Sequence, residues 1–219
     1  ARGRRLTEVT RHIAAVLGVR TAVLPMSDDR VETHVLVMDG RTPRSLHFQE
    51  YLVQRGGQDA VRGVEYRGSP RAGVTPEIRA AMEHARAVII APSNPVASIG
   101  PILAVPGLRD LVRSAPAPVV AVSPIVGGRS LKGPSDKFLR WAGVEVSPLG
   151  VARLYLSSLG RLDGLVIDRL DEADGARIGG LGVRVHVADT MMTGPEEKRR
   201  VARSALAWLE ELRCPAPRS

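Results

Sequence analysis

Apolar positions along the chain switch between two spacings, and the switching lays out a succession of helices and strands. Leu6, Val9, Ile13, Val16 and Leu17 fall on one face at helical spacing, and Gly18 is placed to end that helix. Residues 21–24 read as a strand, and residues 32–38 as another in which Thr33, Val35 and Val37 alternate onto one face. A helix over 76–84 carries Pro76 in its first turn, where a missing N–H does no harm. Residues 87–90 and 119–122 are continuous apolar runs, the pattern of strands buried on both faces of a parallel sheet.

Further helices are predicted at 108–113, 136–141 and 151–159, and further strands at 165–167 and 183–187. A last helix over 196–212 places Val201, Ala205, Leu209 and Leu212 on one face, with Pro215 beyond its end. Strands alternating with helices in this way predict an α/β fold, three-layer and Rossmann-like, around a mostly parallel sheet. Residues 1–219 read as one such domain, with no internal repeat and no linker long enough to divide them.

Composition narrows the function classes. With 44% hydrophobic and 25% charged residues the chain is ordinary globular material. No apolar run approaches the roughly 18 residues of a membrane span, and no signal-peptide pattern is present, so a cytoplasmic protein is expected. The single cysteine, Cys214, excludes an intrachain disulfide and a cysteine-based metal cluster. The formal net charge is +8, but of 31 basic residues only Lys132, Lys137 and Lys198 are lysine. Aromatic residues at 3% are too few for a platform that stacks single strands, and no nucleic-acid-binding signature accompanies the charge. Neither a nucleic acid nor a membrane is expected as a partner.

In parallel α/β folds ligands sit beyond the carboxyl ends of the strands. Two loops occupy that place. The first follows residues 87–90 and contains Ser93, Asn94, Pro95, Ser98 and Gly100. Its prolines stiffen it, its short polar side chains suit a phosphate or sugar edge, and Gly100 permits close backbone approach. A turn whose Ser and Asn bond their own backbone is the competing reading. The second loop follows residues 119–122 and contains Ser123, Gly127, Gly128, Lys132, Gly133 and Lys137. Paired glycines free N–H groups to point at an anion, a helix start follows near Asp136, and two of the three lysines fall here. This favours phosphate binding over a solvated loop. It is not a Walker A loop, because Pro134 stands where that motif needs lysine.

Other polar clusters read as structural. Asp28, Asp29 and Glu32 suit capping or solvation better than a metal, and no metal site is assigned. The five histidines lack ligand spacing: His34 and His47 read as strand or surface residues, and His84 as a helix-end cation. Asp189 and Thr190 precede the last helix, where capping competes with facing the site. No nucleophile elbow and no Cys-His pair supports acyl transfer.

The two loops also carry a resemblance. Residues 91–107 (APSNPVASIGPILAVPG) and 122–137 (VSPIVGGRSLKGPSDK) closely resemble the 2-phospho-L-lactate transferase family of deazaflavin coenzyme (factor 420) biosynthesis. The likeness extends to Leu6-Thr7-Glu8-Val9-Thr10, to residues 28–33, to His47-Phe48-Gln49-Glu50 and to Asp189-Thr190-Met191-Met192, and so spans most of the chain. It implies a transferase that takes a phospho-three-carbon acid (phospholactate, phosphoenolpyruvate or phosphoglycerate) from a guanylyl-activated donor. The acceptor would be the ribityl hydroxyl of 7,8-didemethyl-8-hydroxy-5-deazariboflavin, with GMP released, Mg²⁺ as cofactor and a homodimer as the assembly. Family members open with a strand, a Gly-rich loop and metal-binding acids that do not precede Ala1 here, so the catalytic and metal-binding groups are expected upstream of this chain. A related nucleotide-sugar-binding regulator of the gluconeogenesis-factor type shares the fold and part of the Gly-rich loop. The full Ser-Pro-Ile-Val-Gly-Gly run and His47-Phe48-Gln49-Glu50 favour the transferase.

Overall fold

A computed structural model describes residues 3–213; Cys214 and Pro215, expected beyond the last helix, lie outside them. Helix α1 (Leu6–Val16) precedes strands β1 (Glu32–Asp39), β2 (Thr42–His47) and β3 (Gly63–Arg67), with a wide helical turn (Glu50–Gln54) between the last two. Then follow α2 (Pro76–Glu83), β4 (Val88–Ile90), a second wide turn (Pro95–Ile99), α3 (Gly100–Leu103), α4 (Leu108–Arg113) and β5 (Val119–Val122). A small hairpin of β6 (Ile125–Val126) and β7 (Arg129–Ser130) leads to α5 (Ser135–Trp141) and α6 (Pro148–Leu159). The chain closes with β8 (Gly164–Asp168), α7 (Gly175–Gly179), β9 (Arg184–Ala188) and α8 (Pro195–Arg213). No described helix is long and apolar enough to cross a membrane.

Four strands in the order β4-β5-β8-β9 pair in parallel, so their carboxyl ends share one edge. Alternation splits their side chains between two helical layers. Val119, Ala121, Leu165 and Ile167 enter the larger core, with Leu108 and Val112 of α4 and Leu149, Ala152, Tyr155 and Leu159 of α6. Val120, Val122 and Val166 face α8, which contributes Val201, Ala205, Trp208, Leu209 and Leu212. Burying an aliphatic side chain is worth about 1.5–3 kcal/mol, so these two layers supply the main drive for the fold. This is the α/β, Rossmann-like arrangement that the alternation predicts.

The structure departs from the sequence reading in three places. Residues 21–24 form no strand: they have no pairing partner, and Pro25 follows. Residues 88–90 are the terminal strand, bonded to β5 alone, and Ile89 is 40% exposed rather than buried on both faces. The predicted 32–38 strand belongs to a separate antiparallel sheet, order β2-β1-β3, with two strands the apolar pattern does not reveal. In β2 only Leu46 is buried, because that strand is an edge whose other residues face water. The Thr33, Val35, Val37 alternation is nevertheless real: all three are buried. Val35, Val37, Leu46 and Tyr51 pack there with Val96, Ala97 and Phe138. The Tyr51 and Phe138 rings meet edge to face at 5.9 Å.

Helix α1 ends as its glycine predicts, with Gly18 at φ +69° and the Val19 N–H donating to the Ala14 carbonyl. Its apolar stripe, however, is largely uncovered; Val16 and Leu17 are 73% and 72% exposed. The helix is held at its start, where Asp28 accepts from the Thr7 N–H and hydroxyl (2.8 Å each) and Arg5 pairs with Asp28 and Glu77. Asp29 accepts from the Gly73 N–H, and Glu32 pairs with Arg30, so the acids of this segment are used in structural contacts.

The α8 layer generates two stability predictions. Trp208 lies directly on Gly164, where an added Cβ would overlap the indole ring. Gly164→Ala is expected to destabilise by about 1–3 kcal/mol, the usual range for overpacking, read as a lower midpoint in denaturant. The His186 ring stacks on Trp208 at 5.2 Å and its Nε2 bonds Ser204 Oγ at 2.8 Å. Burial pushes the His186 imidazole below its ordinary value, against an opposing pull from Glu211. The unfolded chain therefore takes up this proton first as pH falls. Stability should be full above about pH 6.5, fall as pH drops through the folded value, and level off below it. Denaturant midpoints across that window should show this step in the native protein and not in His186→Phe.

Candidate active-site cleft

A cleft of about 420 Å³ opens at the carboxyl ends of the parallel strands. Pro92, Ser93, Asn94 and Ser98 line it from the loop after β4, and Ser123, Pro124 and Val126 from the chain after β5. Leu131, Lys132, Gly133, Pro134 and Ser135 follow along the same wall. Phe48 and Leu52 reach in from the segment after β2, and Thr190, Met192 and Lys198 from the chain after β9. The two loops singled out in the sequence thus meet at one cavity because parallel pairing puts the ends of β4 and β5 side by side.

Asn94 is the most informative residue in it. Its Oδ1 accepts from the N–H groups of Val96 and Ala97 at 3.0 and 2.9 Å, capping the wide turn at Pro95–Ile99. That bonding fixes which end of the amide is nitrogen. The Nδ2 group is buried without a partner among the described residues, while Asn94 itself is only 8% exposed. An unpaired buried donor costs about 1–3 kcal/mol, so a donor left over at the wall of a cleft marks a place for a ligand acceptor. The turn reading is thus realised by the carbonyl end of this side chain, while its amino end is left without a partner among the described residues beside the cleft.

Pro95 and Gly100 lie off the lining. Pro95 is buried as the first residue of the wide turn. Gly100 is needed for packing, since a Cβ there would overlap the Tyr66 hydroxyl. That hydroxyl, its pKa pushed up to about 12 by burial, donates to the Val96 carbonyl at 2.6 Å.

The second loop is rearranged more thoroughly. Gly127 and Gly128, at φ +58° and +71°, are the two-residue turn of the β6-β7 hairpin, a conformation that demands glycine. Their N–H groups do point at an anion, but it is the Asp171 carboxylate, at 2.9 and 3.3 Å. Burial pushes Asp171 up, and the two N–H bonds only partly offset it. Lys137 is likewise drawn away: its Nζ donates to the backbone carbonyls of Gly57 and Gln58 at 2.8 and 2.5 Å. The polar groups of these three residues are thus engaged within the chain, and none of the three lies on the cleft lining. They pin the 127–137 segment at its two ends, and Lys132 and Gly133 between them line the cleft. Ser123 lines it too, although its hydroxyl is engaged with the Ile125 N–H and carbonyl.

The third wall shows what sequence reasoning passed over. Asp168, buried at the end of β8, accepts from the Leu170 N–H and from both the N–H and hydroxyl of Thr190, at 3.0, 2.8 and 2.9 Å. Burial pushes its carboxyl up, but these bonds outweigh that and hold it below the ordinary range. Thr190, which lines the cleft, has its hydroxyl proton committed to Asp168, so its oxygen can act only as an acceptor. Asp189 accepts from the Met191 N–H and pairs with Arg200, a local turn rather than a ligand contact. Lys198, from the first turn of α8, also lines the cleft, and its rarity in an arginine-rich chain is the one signal of it that the sequence offers. His34 and His47 are cross-strand partners in the small sheet, outside the cleft lining.

The lining contains no Asp, Glu, His or Cys, and among the described residues no group of three or more such side chains is arranged to hold a metal ion. The Mg²⁺ implied by the resemblance therefore has no carboxylate to bind here, and the residues present do not fit it. What the cleft offers is cationic nitrogen, one orphaned amide donor and apolar walls.

Asn94→Asp separates the two jobs of that side chain. A carboxylate still caps the Val96 and Ala97 N–H groups but has no donor for the cavity. The variant is expected to fold cooperatively and to bind an anionic ligand of the cleft at least about tenfold more weakly by calorimetry. Asn94→Ala should in addition lose stability, because the cap goes as well.

Comparison with known proteins accords with the likeness in the two loops. The family model described as 2-phospho-L-lactate transferase CofD matches residues 1–177. A 2-phospho-L-lactate transferase of Methanosarcina barkeri is 37% identical over 97% of this chain and 66% of its own length. A phosphoenolpyruvate transferase of Kitasatospora aureofaciens is 40% identical over 96% of this chain and 65% of its own length. The chain thus spans just under two-thirds of the length of these relatives. Among solved structures, the Bacillus halodurans protein BH3568 superposes with a TM-score of 0.63 at 17% identity, over 92% of this chain and 67% of that one. That likeness is one of fold. By sequence, over most of its length, this chain is a member of the 2-phospho-L-lactate transferase CofD family.

Proposed function

We propose that the cleft binds a guanylyl-activated phospho-three-carbon acid, in a transferase that passes the phospho acid to a deazaflavin acceptor and releases GMP. The observation that carries this reading is the cleft lining. It joins both family-like loops, holds Lys132, Lys198 and the unpaired Asn94 Nδ2, and has no acidic side chain. Such a wall attracts anions and repels no phosphate. Relatives bearing the names 2-phospho-L-lactate transferase and phosphoenolpyruvate transferase support a donor of this class.

The chemistry asks little of nucleophilic side chains. The ribityl hydroxyl of the acceptor attacks the phosphorus that carries the three-carbon acid, forming a phosphodiester. The bond from that phosphorus to the oxygen shared with the GMP phosphate breaks, its electron pair leaves with GMP, and the hydroxyl proton is lost. Charge therefore builds on the leaving GMP phosphate, and a fixed cation beside it lowers the barrier more than it stabilises the bound donor. Lys132 takes that role. Asn94 Nδ2 donates to a donor oxygen, and Thr190 Oγ1 accepts from a ligand hydroxyl. Phe48, Leu52, Leu131 and Met192 provide apolar surface for a ring and exclude water.

Lys132→Ala is expected to lower turnover by about 100-fold, with Lys132→Arg restoring part of it. Lys137→Met should act instead through stability, because its ammonium is bound to the Gly57 and Gln58 carbonyls. In a protein that also carries the family's upstream segment, GMP release and the product's mass spectrum, with each activated three-carbon acid in turn, check both points. Undiminished turnover in Lys132→Ala of that protein, or no phosphodiester from any donor with it, overturns the reading.

A further inference from the structure

The function proposed above gives Lys132 the leaving-group role and counts Lys198 only as part of an anion-attracting wall, yet α8 brings that second cation to the cleft. Lys198 lies in its first turn and lines the cavity together with Lys132, which comes from the loop after β7. Its sequence neighbours are spoken for: Arg199 pairs with Glu196, and Arg200 pairs with Asp189. Neither Lys198 nor Lys132 has a carboxylate partner among the described residues, whereas the remaining lysine, Lys137, is held by two carbonyls. An ammonium is a compact, strongly hydrated point charge that suits a phosphate oxygen. Two of them on a lining without acidic side chains give the cleft a positive wall.

A second, independent observation points to a ligand at the same place. Asn94, on this lining, has a buried Nδ2 with a proton to give and no acceptor among the described residues to receive it. Two cations and a neutral donor on three separate elements match the oxygens of a doubly charged phosphate or diphosphate better than a single carboxylate.

We propose that Lys198 and Lys132 together clamp the phosphate groups of the ligand, so that docking of α8 onto the sheet is part of building the binding site. The identification of the ligand as a guanylyl phosphate rests on the function proposed above; the clamp itself requires only a polyphosphate-like anion. Because α8 is seated by Val201, Ala205, Trp208, Leu209 and Leu212, the Lys198 ammonium is positioned by the apolar layer that buries one face of the sheet.

Calorimetric titration of the protein and of Lys198→Ala with GMP, guanosine and inorganic pyrophosphate tests this. Lys198 is exposed, so the variant should fold as the native protein does, verified by its thermal midpoint. The clamp predicts that Lys198→Ala weakens GMP and pyrophosphate by about tenfold, a typical loss for one charge-assisted contact. Guanosine should be unaffected, and the salt dependence of GMP binding should become shallower. Lys198→Arg should recover part of the loss. Lys198-dependent binding of pyrophosphate with no binding of GMP supports the clamp and overturns the guanylyl reading. Equal affinities of the native protein and Lys198→Ala for both anions, or no anion binding by the native protein, overturns the clamp.

Discussion

Tyr66 reaches across from the small antiparallel sheet to the loop at the end of β4, and the site depends on that reach. Its hydroxyl donates to the Val96 carbonyl, and Thr33 donates from the same sheet to Ala97. The approach is possible because Gly100 has no side chain to meet the phenol. With burial keeping the phenol protonated far above neutral pH, the contact is a permanent donor bond. It presses the Asn94 turn into one conformation, and the apolar cluster of Val35, Val37, Leu46, Tyr51 and Phe138 supports it from behind. Without that support the loop's prolines would stiffen it but not aim it.

The remaining walls follow the same economy, in which polar groups near the cleft hold one another so that a few are left free. Asp171 fills the Gly127-Gly128 turn and Lys137 binds the carbonyls of Gly57 and Gln58, which anchors the segment carrying Lys132. Asp168 occupies the proton of Thr190 and leaves its oxygen as an acceptor. Buried polar groups must find partners, and those that do become scaffold. On the lining, the Asn94 amino group and the two lysines have no such partner among the described residues. The same accounting separates Lys132 and Lys198 from Lys137, although all three are equally rare in this arginine-rich sequence.

Much of this was legible in the residues. The alternation of apolar runs and helical stripes determined the α/β class, because strands buried on both faces leave an uninterrupted apolar signal, as residues 119–122 do. The positions of the two loops followed from the ends of those strands, and their motifs carried the family. The sequence also determined that the 32–38 segment has an inner face of Thr33, Val35 and Val37. What it did not disclose was β2, whose edge position leaves five of its six residues with no apolar signal to read, or β3, which pairs with β1 on the opposite side.

Only the tertiary structure decided which polar residues line the cleft and which bond within the frame. A paired glycine, a lysine and an aspartate look alike in sequence whether their partner is a phosphate or another part of the chain. Gly127 and Gly128 meet Asp171 from forty-odd residues downstream, and Lys137 meets carbonyls some eighty residues upstream. Lys198 enters the cleft from a helix whose sequence pattern describes only its buried apolar face. Local spacing sets backbone conformation, because steric and hydrogen-bonding preferences act over a few residues. The pairing of charges and donors is settled by long-range packing, and a residue's function here is what that packing leaves unsatisfied.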